Sequence, residues 1–112
     1  VWGSWCPECQ TEHPVITRFA ETKRVRVIGY NWKDEPADAL AWLERFNNPY
    51  WLVLADIEGG TAIDFGIYGA PETFLIDAEG IVRWKHVGAM TDAIVRDELL
   101  PALENAERGR RQ

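Results

Sequence analysis

The chain has 112 residues, and 46% of them are apolar, so it is long enough to close one ordinary hydrophobic core and too apolar for disorder. Its formal net charge of −6 argues against nucleic acid as a partner, since that needs a basic stripe. No apolar run approaches the ~18 residues of a transmembrane helix.

Elements follow in order. "VWGSW", Val1 to Trp5, is short and apolar and reads as the end of a strand running into two cysteines. The absence of an initiating methionine suggests a fragment, with any targeting sequence or anchor lying upstream. From Pro7 a helical pattern begins, because a first-turn proline loses no hydrogen bond. Val15, Ile16 and Phe19 give this helix an apolar face, and Pro14 should kink it. "RVRVIGYNW", Arg24 to Trp32, is β-branched and suits a buried parallel strand. Asp34 to Phe46 carries Ala39, Leu40, Leu43 and Phe46 at helical spacing, and "NNP" stops it. Tyr50 to Asp56 is a short apolar strand, followed by a glycine-rich segment with room for a helical turn. "TFLID", a glycine-containing turn and "IVRWKHVG" read as a hairpin. Thr91 is a good N-cap for a last helix bearing Ile94, Val95, Leu99, Leu100 and Leu103, which Pro101 should bend. The arginines of "ERGRR", Glu107 to Arg111, read as a solvated end. Alternating early elements imply right-handed parallel crossovers, and the late hairpin adds antiparallel strands. The expected fold is α/β, a mixed sheet flanked by helices on both faces.

Cys6 and Cys9 are the only cysteines. In a helix's first turn they share a face, with Cβ atoms about 5–6 Å apart, so a disulfide can close with little adjustment. A bond spanning four residues removes little chain entropy, which makes a structural staple a poor explanation. A zinc site needs about four ligands, and only His13 and His86 could extend the pair. A redox dithiol fits better. The start of a helix presents free N–H groups and the positive end of the helix dipole, which favour a thiolate at Cys6. Cys6 is then the nucleophile and Cys9 the resolving thiol, with Trp5 and Pro7 flanking and shielding the pair. Tryptophans 32, 42, 51 and 84 suit core or partly exposed positions and require no cofactor.

"WGSWCPECQTEHP", followed about sixty residues on by "YGAPETFLID", resembles the thioredoxin superfamily. With "GYNWKD", "NPY" and "GIYGAPETFLIDAEGIVRWKHVG", it is similar to the cytochrome c maturation branch of that superfamily, the CcmG/DsbE type. The resemblance covers nearly the whole chain. It implies one thioredoxin-like domain over 1–112, with the piece from Asp34 to Asp56 as the branch's insertion and the early strands and membrane anchor lying upstream. It implies that Ala70–Pro71 is cis and packs against the CxxC, beside an edge open to an extended peptide. It implies a partly buried Glu12 that tunes the deeper thiol and moves its proton, and a substrate groove lined by Trp5, Pro7, Tyr68, Ala70, Pro71 and Glu72.

The activity so implied is reduction of apocytochrome c disulfides within the CxxCH segment before haem attachment. No metal or organic cofactor is required, a membrane thiol donor recharges the protein, and the natural setting is the periplasm, tethered to the inner membrane. A monomer is expected. The alternatives are a general periplasmic thioredoxin-like reductase with another client, and a non-catalytic zinc-binding or interaction module.

Overall fold

The computed structural model describes the backbone of residues 1–111 and the side chains of residues 1–109. Arg110 and Arg111, part of the end read as solvated, have side chains outside that range.

Helix α1 runs from Pro7 to Glu21 and continues through Pro14. Strand β1 (Ile28–Trp32), helix α2 (Pro36–Phe46) and strand β2 (Leu52–Asp56) follow, and β1 and β2 pair in parallel from Ile28–Leu52 to Trp32–Asp56. A one-turn helix α3 (Gly60–Asp64) leads to β3 (Glu72–Ile76) and β4 (Val82–Val87), an antiparallel hairpin with a register shift at Leu75/Ile76. The chain ends in a continuous helical segment: α4 (Asp92–Ile94), a π-helical turn (Val95–Leu99) and α5 (Leu100–Arg111).

The first residues join the two ladders. Trp2 makes a parallel bridge with Asn31: its N–H donates to the Tyr30 carbonyl at 2.9 Å, and its carbonyl accepts from Trp32 at 3.0 Å. On the other side the Val1 nitrogen donates to the Glu72 carbonyl at 2.7 Å. The expected strand end is thus one bridging residue, Trp2 on β1, with Val1 reaching β3. The parallel pair β1–β2 and the antiparallel pair β3–β4 are two two-stranded sheets that these bonds link.

Two apolar clusters hold the layers. One gathers Trp2, Cys6, Cys9, Ala39, Trp42 and Leu43. The other packs Leu75, Met90, Leu99 and Leu103 against Val15, Ile16 and Phe19 of α1. Helix α1 contributes to both, so the segment that carries the cysteines is anchored along its length.

Three expectations need correction. The strand over 24–32 shrinks to five residues, and Ile28 remains 46% exposed, so β1 is half-buried rather than fully buried. In α2 the inward residues are Ala39, Trp42 and Leu43, while Leu40 points to solvent. Trp42 wins because Trp2 stacks on it with ring centroids 4.9 Å apart. In the last helix Thr91 does cap, its hydroxyl accepting from the Ile94 N–H at 3.1 Å, but the next turn is π-helical. Pro101 has no N–H to donate to Asp97, so the ordinary i to i−4 ladder fails there.

Candidate active site

The site forms where the bridging segment turns into α1. Cys6 is the N-cap residue, in extended conformation, and its Sγ accepts the Cys9 N–H at 3.2 Å. A helix start has unpaired N–H groups, and here one is aimed at sulfur. Cys6 and Cys9 are joined as a disulfide, with Cα atoms 5.3 Å apart. Both are buried: Cys6 is 4% exposed and Cys9 1%. The pair is recessed, and Cys6 is flanked by exposed Trp5 and Pro7.

The turn leading to Cys6 is tied down from behind. Asp34 accepts the Ser4 N–H at 2.7 Å and the Ser4 hydroxyl at 2.7 Å, and also the Asn31 amide at 3.1 Å and the Glu35 N–H at 3.0 Å. Burial alone would raise its pKa, but the bonds from Ser4, Asn31 and Glu35 outweigh it and hold the carboxyl below its ordinary value. Trp5 folds back over this turn, its indole N–H donating to the Trp32 carbonyl at 3.1 Å. A Cβ at Gly3 would run into the Trp5 ring, so a larger residue there would displace Trp5 from its place over the turn. Replacing Asp34 with alanine leaves buried donors on Ser4 and Asn31 without partners, and should cost about 2–4 kcal/mol of stability. Urea denaturation of the oxidised protein measures it, and an unchanged midpoint would refute the tether.

Glu12, one turn beyond Cys9, is 6% exposed, and its Oε1 accepts the Met90 N–H at 3.0 Å. Burial raises its pKa from 4.5 to about 7 against the opposing pull of that N–H. His13 is 3% exposed, its Nε2 lying 2.8 Å from the Asn47 carbonyl and its ring edge on Trp42. Burial lowers its pKa, so a neutral ring donating to Asn47 is the consistent state. Asn47 itself adopts φ 80° and ψ 152°, a region that side chains rarely enter. Among the described residues no three His, Cys, Asp or Glu side chains are grouped as metal ligands.

The Ala70–Pro71 bond is cis, and Ala70 packs against the cluster that contains both cysteines. Pro71 is buried, and its carbonyl accepts the Gly88 N–H at 2.9 Å. Tyr68 is 78% exposed beside this turn. Glu72 departs from the expected groove lining: it is 3% exposed, and its Oε2 accepts the Tyr68 N–H at 3.3 Å. It braces the loop from inside. Asp34 and Gly3 were not singled out as site residues from the sequence. An aspartate just after a β-strand was the only signal for Asp34, since its partner Ser4 lies thirty residues away.

A disulfide at the head of the first helix, against a cis-proline loop in a mixed sheet, defines the thioredoxin-like class of dithiol proteins. The chain belongs to the Redoxin family, whose family model matches residues 1–100. It is 60% identical over 107 residues to the thiol:disulfide interchange protein DsbE of Xylella fastidiosa, covering 96% of this chain and 54% of that protein. The DsbE of Escherichia coli is 42% identical over 93% of this chain and 56% of its own length. Among solved structures, the thio-disulfide isomerase of Thermus thermophilus superposes with a TM-score of 0.71 at 31% identity, over 94% of this chain and 74% of that one. The chain spans about half the length of the curated relatives it matches. No described helix is long and apolar enough to cross a membrane.

Proposed function

We infer that the protein is a thiol–disulfide oxidoreductase that works as a reductant in cytochrome c biogenesis. The observation that carries the chemistry is the Cys9 N–H directed at the Cys6 sulfur at the head of α1. The same donor would stabilise a Cys6 thiolate in the reduced protein.

In the reduced protein the Cys6 thiolate attacks one sulfur of a client disulfide. That S–S bond breaks, a Cys6–client disulfide forms, and the departing client sulfur takes a proton. Cys9, as thiolate, then attacks the Cys6 sulfur and releases the second client thiol. Two electrons pass from the dithiol to the client, and Cys6–Cys9 is left as the disulfide. A membrane thiol donor reverses the change. The Cys9 proton goes to Glu12, whose pKa of about 7 suits it to receive and return a proton near neutrality.

The reducing direction rests on the branch resemblance, because dithiol–disulfide exchange by itself runs both ways. The client, apocytochrome c at its CxxCH segment, rests on the branch resemblance, as do the periplasmic setting, the inner-membrane tether and the monomeric state. The groove would run along Trp5, Pro7, Tyr68, Ala70 and Pro71.

Selectivity tests the client. The reduced protein should reduce a disulfide-closed CxxCH peptide at least about tenfold faster than an unrelated disulfide peptide, the scale of one good specific contact. Equal rates would reduce the reading to a general reductase. In the reduced protein Glu12→Gln should lower the pKa of Cys9, read by thiolate absorbance, and an unchanged titration would remove the tuning role.

A further inference from the structure

Lys85 lies on β4 and takes no part in the CxxC chemistry described above, yet its ammonium meets four parts of the segment from Gly66 to Phe74. It donates to the Gly66 carbonyl at 3.1 Å. It sits 3.7 Å from Glu72 Oε1, whose side chain is 4% exposed. It lies 5.1 Å from the centroid of the Phe74 ring and 5.8 Å from that of Tyr68. Phe74 is its cross-strand partner in the hairpin, so the register brings Lys85 to this place.

The connections form a closed bracket. Glu72 holds the Tyr68 N–H through one carboxylate oxygen and faces Lys85 with the other. Lys85 in turn holds the carbonyl at the start of the loop, where Gly66 has φ +73°. The start and the middle of the Gly66–Ala70 turn are thereby fixed to the hairpin by charge-assisted contacts, the stronger kind of hydrogen bond. The turn ends on Ala70, which packs against the cysteine cluster. Tyr68 projects from its middle, 78% exposed, where an approaching chain would meet it.

We propose that Lys85, acting through Glu72 and the Tyr68 ring, is the positioning residue that sets the loop beside the dithiol for client binding. This rests on the oxidoreductase reading for its link to a client, but the loop placement stands on its own contacts. Lysine has the reach and the single cationic head to satisfy a carbonyl, a carboxylate and two ring faces at once.

Two readouts on Lys85→Met and Lys85→Arg test it. Amide hydrogen exchange at Tyr68 should quicken at least about tenfold in Lys85→Met and return most of the way in Lys85→Arg, as the loss of a charge-assisted contact implies. Single-turnover reduction of a disulfide-closed CxxCH peptide by pre-reduced protein should show a half-saturating concentration raised about tenfold in Lys85→Met, with the limiting rate held. Unchanged exchange at Tyr68 overturns the proposal whatever the activity. Quickened exchange with unchanged half-saturation, in a protein that does reduce the peptide, overturns the link to the client. Quickened exchange in a protein whose wild type reduces no disulfide would sink the oxidoreductase reading and uphold the loop assignment.

Discussion

Cys9→Ser is expected to attack a client once and then stop. Cys6 keeps its place at the head of α1, so it still opens the client disulfide. The serine that replaces Cys9 has no sulfur with which to resolve the adduct. Resolution by a tethered neighbour gains from an effective concentration far above that of any free thiol, so turnover should fall by roughly a thousandfold or more. A Cys6–client adduct should accumulate and be visible by mass spectrometry under non-reducing conditions. Cys6→Ser should form no such adduct, because Cys9 lies inside the helix and lacks the N-cap position whose N–H activates Cys6. Equal trapping by both variants would refute the assigned order.

Glu12→Gln should stabilise the oxidised protein at alkaline pH and lose that advantage in acid. The carboxyl has an ordinary pKa of 4.5 and is pushed up to about 7 by burial in the fold. The fold therefore prefers the protonated form. Its favourable contribution is complete below about 4.5 and is lost as pH rises through about 7, where the folded protein must carry a buried charge. The gap corresponds to at most about 3 kcal/mol, and partial solvation will reduce it. Glutamine keeps an oxygen for the Met90 N–H and has no charge to bury. Urea unfolding between pH 4 and pH 8 should show wild-type stability falling relative to the variant as pH rises. Parallel curves would show that Glu12 does not titrate in this range.

The features legible in the sequence are those that local spacing determines. A proline after a strand-like start, with cysteines three apart, leaves few places for Cys6 other than a helix N-cap. Thr91 declared the last helix in the same way. The residues misread or missed are decided by partners far along the chain. Leu40 and Trp42 are both apolar and both on α2, and only the stack with Trp2 selects which faces inward. Asp34 looks like an ordinary turn aspartate until Ser4 is beside it. Glu72 reads as a groove carboxylate until the hairpin register brings Lys85 to it. The π-helical turn had only Pro101 to announce it, and a proline there is equally compatible with a bend. The resemblance supplied what spacing could not, the cis bond at Ala70–Pro71 and the burial of Glu12.

The depth of Cys9 also bears on what a peroxide would do to the pair. A thiolate oxidised to sulfenic acid is normally at risk of a further, irreversible step to sulfinic acid. Here a second sulfur sits within one helical turn, hidden from small oxidants, and can condense with the sulfenic acid to expel water. Chemical injury at Cys6 would then end in the Cys6–Cys9 disulfide, a bond that thiol exchange can reopen.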